Sequence, residues 1–249
     1  KQEARNPLST KSKKNPPSFF QIWRKFSSSK TTKRFFLALG FGTAAFSMQD
    51  IILEPYGGEI LGLSVSQTTL LTAFSSLGAV LSFGLAAWLL NKRINPYRLA
   101  AFGTLIGIVG FSLIVFAKPL ELINFFKIGV FLIGFGWGIF SVSCLISAMH
   151  LNSEGYAGLV LGAWGAIQAT AMGFGVALGG ILRDLVENLF FSGFSGTGLN
   201  PNFAGYLAVY HLEIFLLFVV LIIIGPLVGS ARSKESISSN KFGLAEFPS

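Results

Sequence analysis

The sequence predicts an all-α integral membrane protein with six transmembrane helices. Two observations indicate this fold class, namely the composition and the length of the apolar stretches. Hydrophobic residues make up 52% of the 249-residue chain, charged residues make up 12%, and the mean hydropathy is +0.64. Because a soluble domain carries about 25% charged residues, this chain has too few polar groups to cover a globule in water. The composition therefore argues against both a soluble enzyme and a disordered chain.

Six stretches of the chain are apolar over the roughly 20 residues that a helix needs to cross a bilayer. None of them shows the polar–apolar alternation, over about ten residues, of a membrane β-barrel strand. Because backbone groups in lipid must bond within their own segment, each stretch is predicted to be helical. The predicted spans are residues 33–53, 66–90, 97–117, 122–149, 156–182 and 205–229, which together form a six-helix bundle over 33–230.

The distribution of Lys and Arg predicts that both termini lie in the cytoplasm. Residues 1–34 contain ten of the nineteen basic residues. With both ends inside, sixteen of the nineteen lie on the cytoplasmic side, as the positive-inside rule requires. A basic tail can also bind nucleic acid, but beside membrane spans it indicates contact with anionic lipid. Membrane lipid, and not nucleic acid, is therefore the predicted partner of this segment.

Two segments flank the predicted bundle. Residues 1–32 form a basic cytoplasmic linker, and apolar residues spaced at i, i+3, i+4 and i+7 predict a short interfacial helix near 18–27. A loosely ordered linker is the alternative. Residues 231–249 are predicted to form a cytoplasmic tail. Because the chain begins with Lys, we expect it to be either part of a longer protein or a chain trimmed at its start.

The first predicted span ends with polar side chains. Gln49, Asp50 and Glu54 lie in its last turns, before Pro55 stops or kinks the helix. An unbroken helix would place the carboxylates of Asp50 and Glu54 on one face, where the two cannot both ionise at low cost. Such a pair could hold a proton, pair with a cation or bind a ligand. The alternative is that both acids lie in water at the outer interface and only end the helix.

Trp164 and Gln168 lie one turn apart in the fifth span. One interpretation is that the amide hydrogen-bonds a neighbouring helix, as uncharged polar groups in membranes usually do. The other is that the indole and the amide line a cavity that faces a flat apolar ligand. Together with Gln49, Asp50 and Glu54, these two residues are the candidates for a ligand-binding or gating site.

Glycine is frequent in the fourth and fifth spans. The sequence contains Gly134, Gly136 and Gly138 in the fourth, and the G-x-x-x-G pairs Gly158/Gly162 and Gly175/Gly179 in the fifth. Small residues let helices approach closely, so close packing is the expected role. Helix motion during a transport cycle is the alternative.

The sequence contains no recognisable catalytic constellation. We find no Ser–His–Asp set, phosphate-binding loop or zinc-ligand spacing. Its single cysteine, Cys144, excludes an internal disulfide framework and a cysteine-based metal cluster. No catalytic or metal site is therefore predicted, and we do not expect the protein to be an enzyme.

Six helices with cytoplasmic ends, preceded by a long basic segment, resemble the second half of a major facilitator superfamily transporter. The loop Gly84-x-x-Ala87-x-x-Leu90-Asn91-Lys92-Arg93 resembles the basic loop of that superfamily. It departs from the pattern because Trp88 replaces the usual Asp and Asn91 replaces the usual Gly. The resemblance implies that an N-terminal six-helix half, either a separate chain or a missing part of this one, packs against the bundle.

Several segments resemble the PucC family, the bacteriochlorophyll-delivery branch of that superfamily. The most distinctive is MQDIILEPYGG at 48–58. LGAWGAIQAT at 161–170 and ALGGILRD at 177–184 are also similar, and FGLAEFP at 242–248 resembles the ending of cyanobacterial members. The resemblance covers about residues 33–249.

The resemblance implies a role in a photosynthetic membrane, either a thylakoid or an intracytoplasmic membrane. It implies assembly of pigment–protein complexes, with light-harvesting or photosystem subunits as partners, by binding or delivering chlorophyll or bacteriochlorophyll. His150, which ends the fourth span, and His211, which with Glu213 begins the sixth, are possible ligands of the pigment magnesium. Two alternatives stay open, a proton-coupled small-solute transporter that uses Asp50 and Glu54, and an assembly scaffold without pigment transport.

Overall fold

The computed structural model describes residues 29–151, 157–192 and 200–240, and all regular structure within them is helical. The predicted interfacial helix near 18–27 lies outside the described residues. The long helices are α1 (Lys30–Ser47), α2 (Val65–Asn91), α3 (Pro96–Ala117), α4 (Ile123–His150), α5 (Ala157–Phe191) and α6 (Pro201–Asn240). Within the described residues, α2 to α6 are each long and apolar enough to cross a membrane, and α1 does so together with a bent extension. The chain is an all-α integral membrane protein, as its composition predicts.

The first span is broken between Asp50 and Glu54. α1 continues into a 3-10 turn at Met48–Ile51, and a short helical segment, Leu53–Ile60, then leaves at an angle of 46°. Pro55 has no N–H to bond the carbonyl of Ile51, so the regular helix cannot continue there. The turn closes instead through the N–H of Ile52, which donates to the carbonyl of Gln49 at 3.0 Å.

Capping residues set the starts of α2 and α3. Ser64 and Gln67 form a reciprocal capping box, with backbone-to-side-chain distances of 3.0 and 3.4 Å. The side chain of Asn95 accepts a hydrogen bond from the N–H of Tyr97 at 2.9 Å, and Pro96 occupies the first helical position. These signals start each helix one residue before the apolar run from which it was predicted.

In the basic loop after α2, Trp88 contacts a lysine side chain. The Nζ of Lys92 lies 3.6 Å from the centre of the Trp88 ring. At this distance the ammonium group is attracted by the ring's π-electrons. Trp88 therefore contacts one of the basic residues of the loop.

Glycines bring the backbones of α3 and α4 into contact. A Cβ atom built on Gly136 would lie 2.6 Å from the carbonyl oxygen of Gly103, and one built on Gly129 would lie 2.7 Å from that of Gly110. Such distances leave no room for a side chain. In this helix pair the small residues serve close packing, as expected.

The two G-x-x-x-G pairs of α5 have different surroundings. A Cβ atom on Gly175 or Gly179 would lie 2.6 or 2.8 Å from a carbonyl oxygen of the first span. No described atom lies within 4 Å of a Cβ built on Gly158 or Gly162. The second pair thus packs α5 against α1, whereas the first pair lies on a face that this bundle leaves uncovered.

Two helix boundaries differ from the sequence analysis. α5 continues to Phe191 instead of ending near 182, because Arg183 is neutralised within the bundle by Glu59 and Glu187, each at 3.3 Å. α6 begins at Pro201 and continues as helix to Asn240, into the region predicted as a tail. The prediction that His211 and Glu213 begin the sixth span is therefore wrong. They lie ten and twelve residues inside the helix, about 15–18 Å from its start.

Candidate functional site

The break in the first span presents an amide and a carboxylate side by side. Gln49 is buried, with 5% of its surface exposed, and its Oε1 has no hydrogen-bond partner among the described residues. Asp50, the next residue, is exposed. The break thus directs one polar group into the bundle and the other out of it.

Asp50 and Gln49 line a cavity of about 60 Å³ at the break. The other walls come from three further helices, with Ser75 from α2, Trp137 from α4 and Met172 from α5. Four helices therefore converge on the polar end of α1. The cavity is large enough for a small polar group but not for a pigment ring.

Glu54 lies beyond the break and is exposed. Its Oε1 accepts a hydrogen bond from Thr72 of α2 at 2.9 Å. Because Asp50 shares its cavity with Ser75, one turn further along α2, both acids lie on the α2 side of the first span. The helix is not continuous between the two acids, since it bends by 46° at Ile52.

Trp164 and Gln168 are half-buried on α5. The Nε1 of Trp164 and the Oε1 of Gln168 have no hydrogen-bond partner in the described part of the chain. Met172, four residues beyond Gln168 and on the same helix face, lines the cavity beside Asp50. Gln168 therefore lies about one turn, and Trp164 about two turns, from that cavity.

Glu213 is a candidate that the sequence analysis missed. Its side chain is completely buried (0% exposed) beside the backbone of Gln49, and neither carboxylate oxygen has a partner among the described residues. It is the only charged residue in 205–229, and an ionisable residue inside a span is the usual mark of a functional site. The signal was present, but the late predicted start of the span placed Glu213 near the interface.

The two histidines have different environments. His150 is exposed at the last residue of α4. His211 is exposed well inside α6, and its Nδ1 lies 2.7 Å from the carbonyl oxygen of Leu207. A carbonyl accepts only from a protonated nitrogen, so Nδ1 carries the hydrogen and Nε2 keeps a free lone pair in the neutral ring. This arrangement leaves His211 able to bind a metal ion at Nε2.

An apolar groove of about 540 Å³ runs between α1 and α5. Phe41 and Phe174 are exposed along it, and Leu216 of α6 contributes to its wall. Its lining is almost entirely hydrocarbon. The groove can hold an apolar chain or a neighbouring helix, but it offers no charged side chain to a ligand.

Comparison of the sequence with protein families identifies the family to which this chain belongs. The family model described as PUCC protein matches residues 1–232. The chain belongs to the PucC family. The segment at 48–58 that resembled this family is the broken end of the first span, so the PucC motif forms the polar break itself.

Curated proteins of purple bacteria are similar to this chain, and the name of one of them mentions bacteriochlorophyll. Protein PucC of Cereibacter sphaeroides is 40% identical over 95% of this chain and 50% of its own length. A Rhodobacter capsulatus protein named "Uncharacterized protein in puhA-bchM intergenic region" is 42% identical over 100% of this chain and 53% of its own length. The bacteriochlorophyll synthase 44.5 kDa chain of Rhodobacter capsulatus is 31% identical over 69% of this chain. The chain thus spans about half the length of the curated relatives it matches, and no solved structure matches it.

Proposed function

We propose that this chain is part of an auxiliary membrane protein for assembly of photosynthetic pigment–protein complexes, and that it holds chlorophyll or bacteriochlorophyll. Membership of the PucC family supports the assembly role, and the name of one relative, a bacteriochlorophyll synthase chain, supports the connection with pigment. In this proposal the protein acts as a carrier and not as an enzyme. It lies in a photosynthetic membrane with both termini in the cytoplasm, and light-harvesting or photosystem subunits receive the pigment.

The observation that carries the pigment proposal is the position of His211. Chlorophylls contain a magnesium ion that accepts an axial ligand, and neutral imidazole is a common metal ligand in proteins. Metal-binding histidines usually donate their other ring N–H to a carbonyl or carboxylate, which fixes the ring. His211 has this second contact, to Leu207, and its ring is exposed on the face of a membrane-spanning helix.

The surroundings of His211 suit a flat apolar ligand. Phe215, Phe218 and Ile222 follow at i+4, i+7 and i+11, and all three are exposed large hydrophobic residues. They therefore form, with His211, one apolar stripe along α6 that contains a single metal-ligating group. A pigment ring bound at His211 would lie over this stripe, with lipid on its other side.

The polar break has a different role in this proposal. The N-terminal half of the protein lies on a surface that includes the polar break, with Gln49, Asp50 and Glu54. This surface continues along α5 through Trp164 and Gln168. Exposure of Asp50 and the half-burial of Trp164 and Gln168 support this assignment. These five residues gate the release of pigment and do not ligate it.

The proposal is tested by measuring pigment bound to the purified full-length protein. We expect His211→Leu, expressed in a host that makes (bacterio)chlorophyll, to lower pigment per protein at least about tenfold, because loss of even an outer-shell partner costs about 10–100-fold in metal affinity. Leucine is stable on a lipid-facing surface, so the fold is retained. His150→Leu is the matched control and keeps the wild-type pigment content.

Other outcomes contradict parts of the proposal. Equal pigment in His211→Leu and wild type, with loss in Trp164→Ala or Asp50→Asn, moves the pigment to the α5 side of the bundle. A wild-type protein that carries no pigment but co-purifies with light-harvesting subunits is a scaffold. Both results come from one absorption spectrum and one list of co-purified subunits.

A further inference from the structure

Glu213 is an acid without a counter-charge. Its carboxyl group is fully enclosed where α6 contacts the break of the first span. Neither oxygen has a hydrogen bond of good geometry with a described residue, although the backbone of Gln49 lies within interaction range of the carboxyl group. Arg183 of α5 contacts Tyr206 on α6, and its ion pairs are with Glu59, Asp184 and Glu187. Within the described residues, Glu213 is therefore neither paired nor solvated.

The surroundings of Glu213 contain further polar atoms without partners. Gln49 Oε1 comes from the first span and the hydroxyl of Tyr210 from the preceding turn of α6, and neither has a hydrogen-bond partner among the described residues. Both residues are buried. An ionised carboxylate enclosed without a counter-charge costs far more free energy than a neutral acid, which needs only hydrogen bonds. The enclosed group in this conformation is thus the neutral carboxylic acid.

We propose that Glu213 is a proton-binding site of this protein, and that it releases its proton only when the contact between the broken end of the first span and α6 opens. The ligand is a proton because the carboxyl group is fully buried and its neutral form needs no counter-charge. Release without opening would leave the ionised carboxylate enclosed at the cost given above. Binding of the proton and closure of the contact are therefore linked.

The ionisable groups that face this site are few. The first span contributes Asp50 before the break and Tyr56 beyond it. α6 itself contributes Tyr206 and Tyr210. α3 has no ionisable side chain over 101–117, and α5 has none over 157–182. The basic group beside these faces is Arg183 of α5, which lies over the ring of Tyr206 and already pairs with Glu59, Asp184 and Glu187.

The proton has a polar path at each side of the site. Asp50 is exposed at the cavity shared by α2, α4 and α5, and lies next to Gln49 in the chain. On the other side, Tyr206, Tyr210 and Glu213 follow at i, i+4 and i+7 on one face of α6. The hydroxyl of Tyr206 donates to Oε2 of Glu59 at 2.8 Å, near the end of the bundle. The carboxyl groups of Asp and Glu are among the side chains that relay protons in membrane proteins.

The test is infrared spectroscopy of the purified full-length protein in lipid nanodiscs. A neutral carboxylic acid has a C=O stretching band separate from those of amides and carboxylates. We expect the wild type to show this band at neutral pH and Glu213→Gln to lose it, while Glu54→Gln, which changes an exposed acid, retains it. Glu213→Asp keeps a carboxylic acid and is expected to show the band at a shifted frequency, which covers the case in which the glutamine variant fails to fold.

Hydrogen exchange tests the linked opening. As pH rises, exchange of the amides at 48–56 in the wild type should accelerate more than in Glu213→Gln, because only the wild type has a proton to release there. A carboxylic acid band that survives in Glu213→Gln overturns the proposal. So does a band that disappears on adding sodium at constant pH, since the site then binds a metal cation. Pigment content is a separate measurement, because His211 lies about 200° around the helix from Glu213.

Discussion

At the scale of single residues, Arg183 holds one end of the bundle together. Its guanidinium group lies 3.3 Å from carboxylate oxygens of Glu59 and Glu187 and 3.4 Å from one of Asp184. It also lies over the ring of Tyr206, 4.7 Å from the ring centre. One cation thus joins the bent end of the first span, α5 and α6. A charge at this position of a membrane helix is tolerated because it is neutralised by neighbours.

We predict that Arg183→Gln destabilises the protein by about 1–2 kcal/mol, because Glu59 and the half-buried Glu187 lose their counter-charge. Denaturant unfolding in detergent measures this change. The matched control is Asp184→Asn, which removes an exposed partner of the same arginine and should change stability by less than about 0.5 kcal/mol. Equal effects of the two substitutions would show that Arg183 is not shared between the three elements.

The sequence pointed to residues that share one cavity, but it placed Glu213 too near the membrane interface. The PucC-like motif pointed to Gln49 and Asp50, which the structure places at one cavity. Glu213 was read as an interfacial residue, because hydropathy alone cannot tell the first turn of a span from the polar segment before it. A buried acid is recognised only when the facing backbone, here that of Gln49, is known. Such a contact joins residues 164 positions apart in the chain and leaves no local pattern.

At the scale of helices, the contact between α3 and α4 depends on reciprocal glycines. Gly103 faces Gly136, and Gly110 faces Gly129, with backbone atoms where side chains would stand. Backbones this close gain dispersion contacts along the helices. We predict that Gly136→Ala destabilises the protein by about 1–3 kcal/mol, because the new methyl group meets backbone and not a movable side chain.

The control for this substitution is Gly162→Ala in α5. No described atom lies within 4 Å of a Cβ at Gly162, so its unfolding midpoint in detergent should match that of the wild type. A destabilisation by Gly162→Ala as large as that by Gly136→Ala would contradict the packing described here.

The first residue of a helix was predicted to within one residue where a strong capping residue precedes it. α2 and α3 begin at the Ser64 and Asn95 caps, so hydropathy and capping signals coincide. The end of α5 could not be predicted in this way, because Arg183, Asp184 and Glu187 resemble a polar loop until their ion pairs are known. The bend after Asp50 was indicated by Pro55, but its angle depends on how the first span packs against α5 and α6.

At the scale of the whole molecule, α2 and α5 have apolar faces that the rest of the bundle leaves uncovered. α2 packs mainly against α4, and it exposes large hydrophobic residues such as Leu77 and Leu81. α5 exposes Phe174 and the uncovered glycines of its first half. Because the chain spans about half the length of its curated relatives, we expect these faces to contact the other half of the protein.

Photo-crosslinking tests this arrangement in the full-length protein. A photoreactive residue at Leu77 should crosslink the two halves, as seen on a gel after proteolytic cleavage of the linker between them. The same residue at Ile222, which is exposed on the α6 stripe beside His211, should leave the halves separate. The reverse pattern would place the other half on α6 and would make the proposed pigment surface inaccessible.

The bend in the first span also determines how far the end of that span could move. The segment from Leu53 to Ile60 is about 12 Å long at 1.5 Å per residue. Rotation through the observed 46° to a straight helix would carry its tip roughly 9 Å. Glu59, near that tip, would move out of reach of both Arg183 and the Tyr206 hydroxyl. Straightening of the first span would therefore break the Glu59 ion pair at the tip and change the contact with α6 at the bend in the same movement.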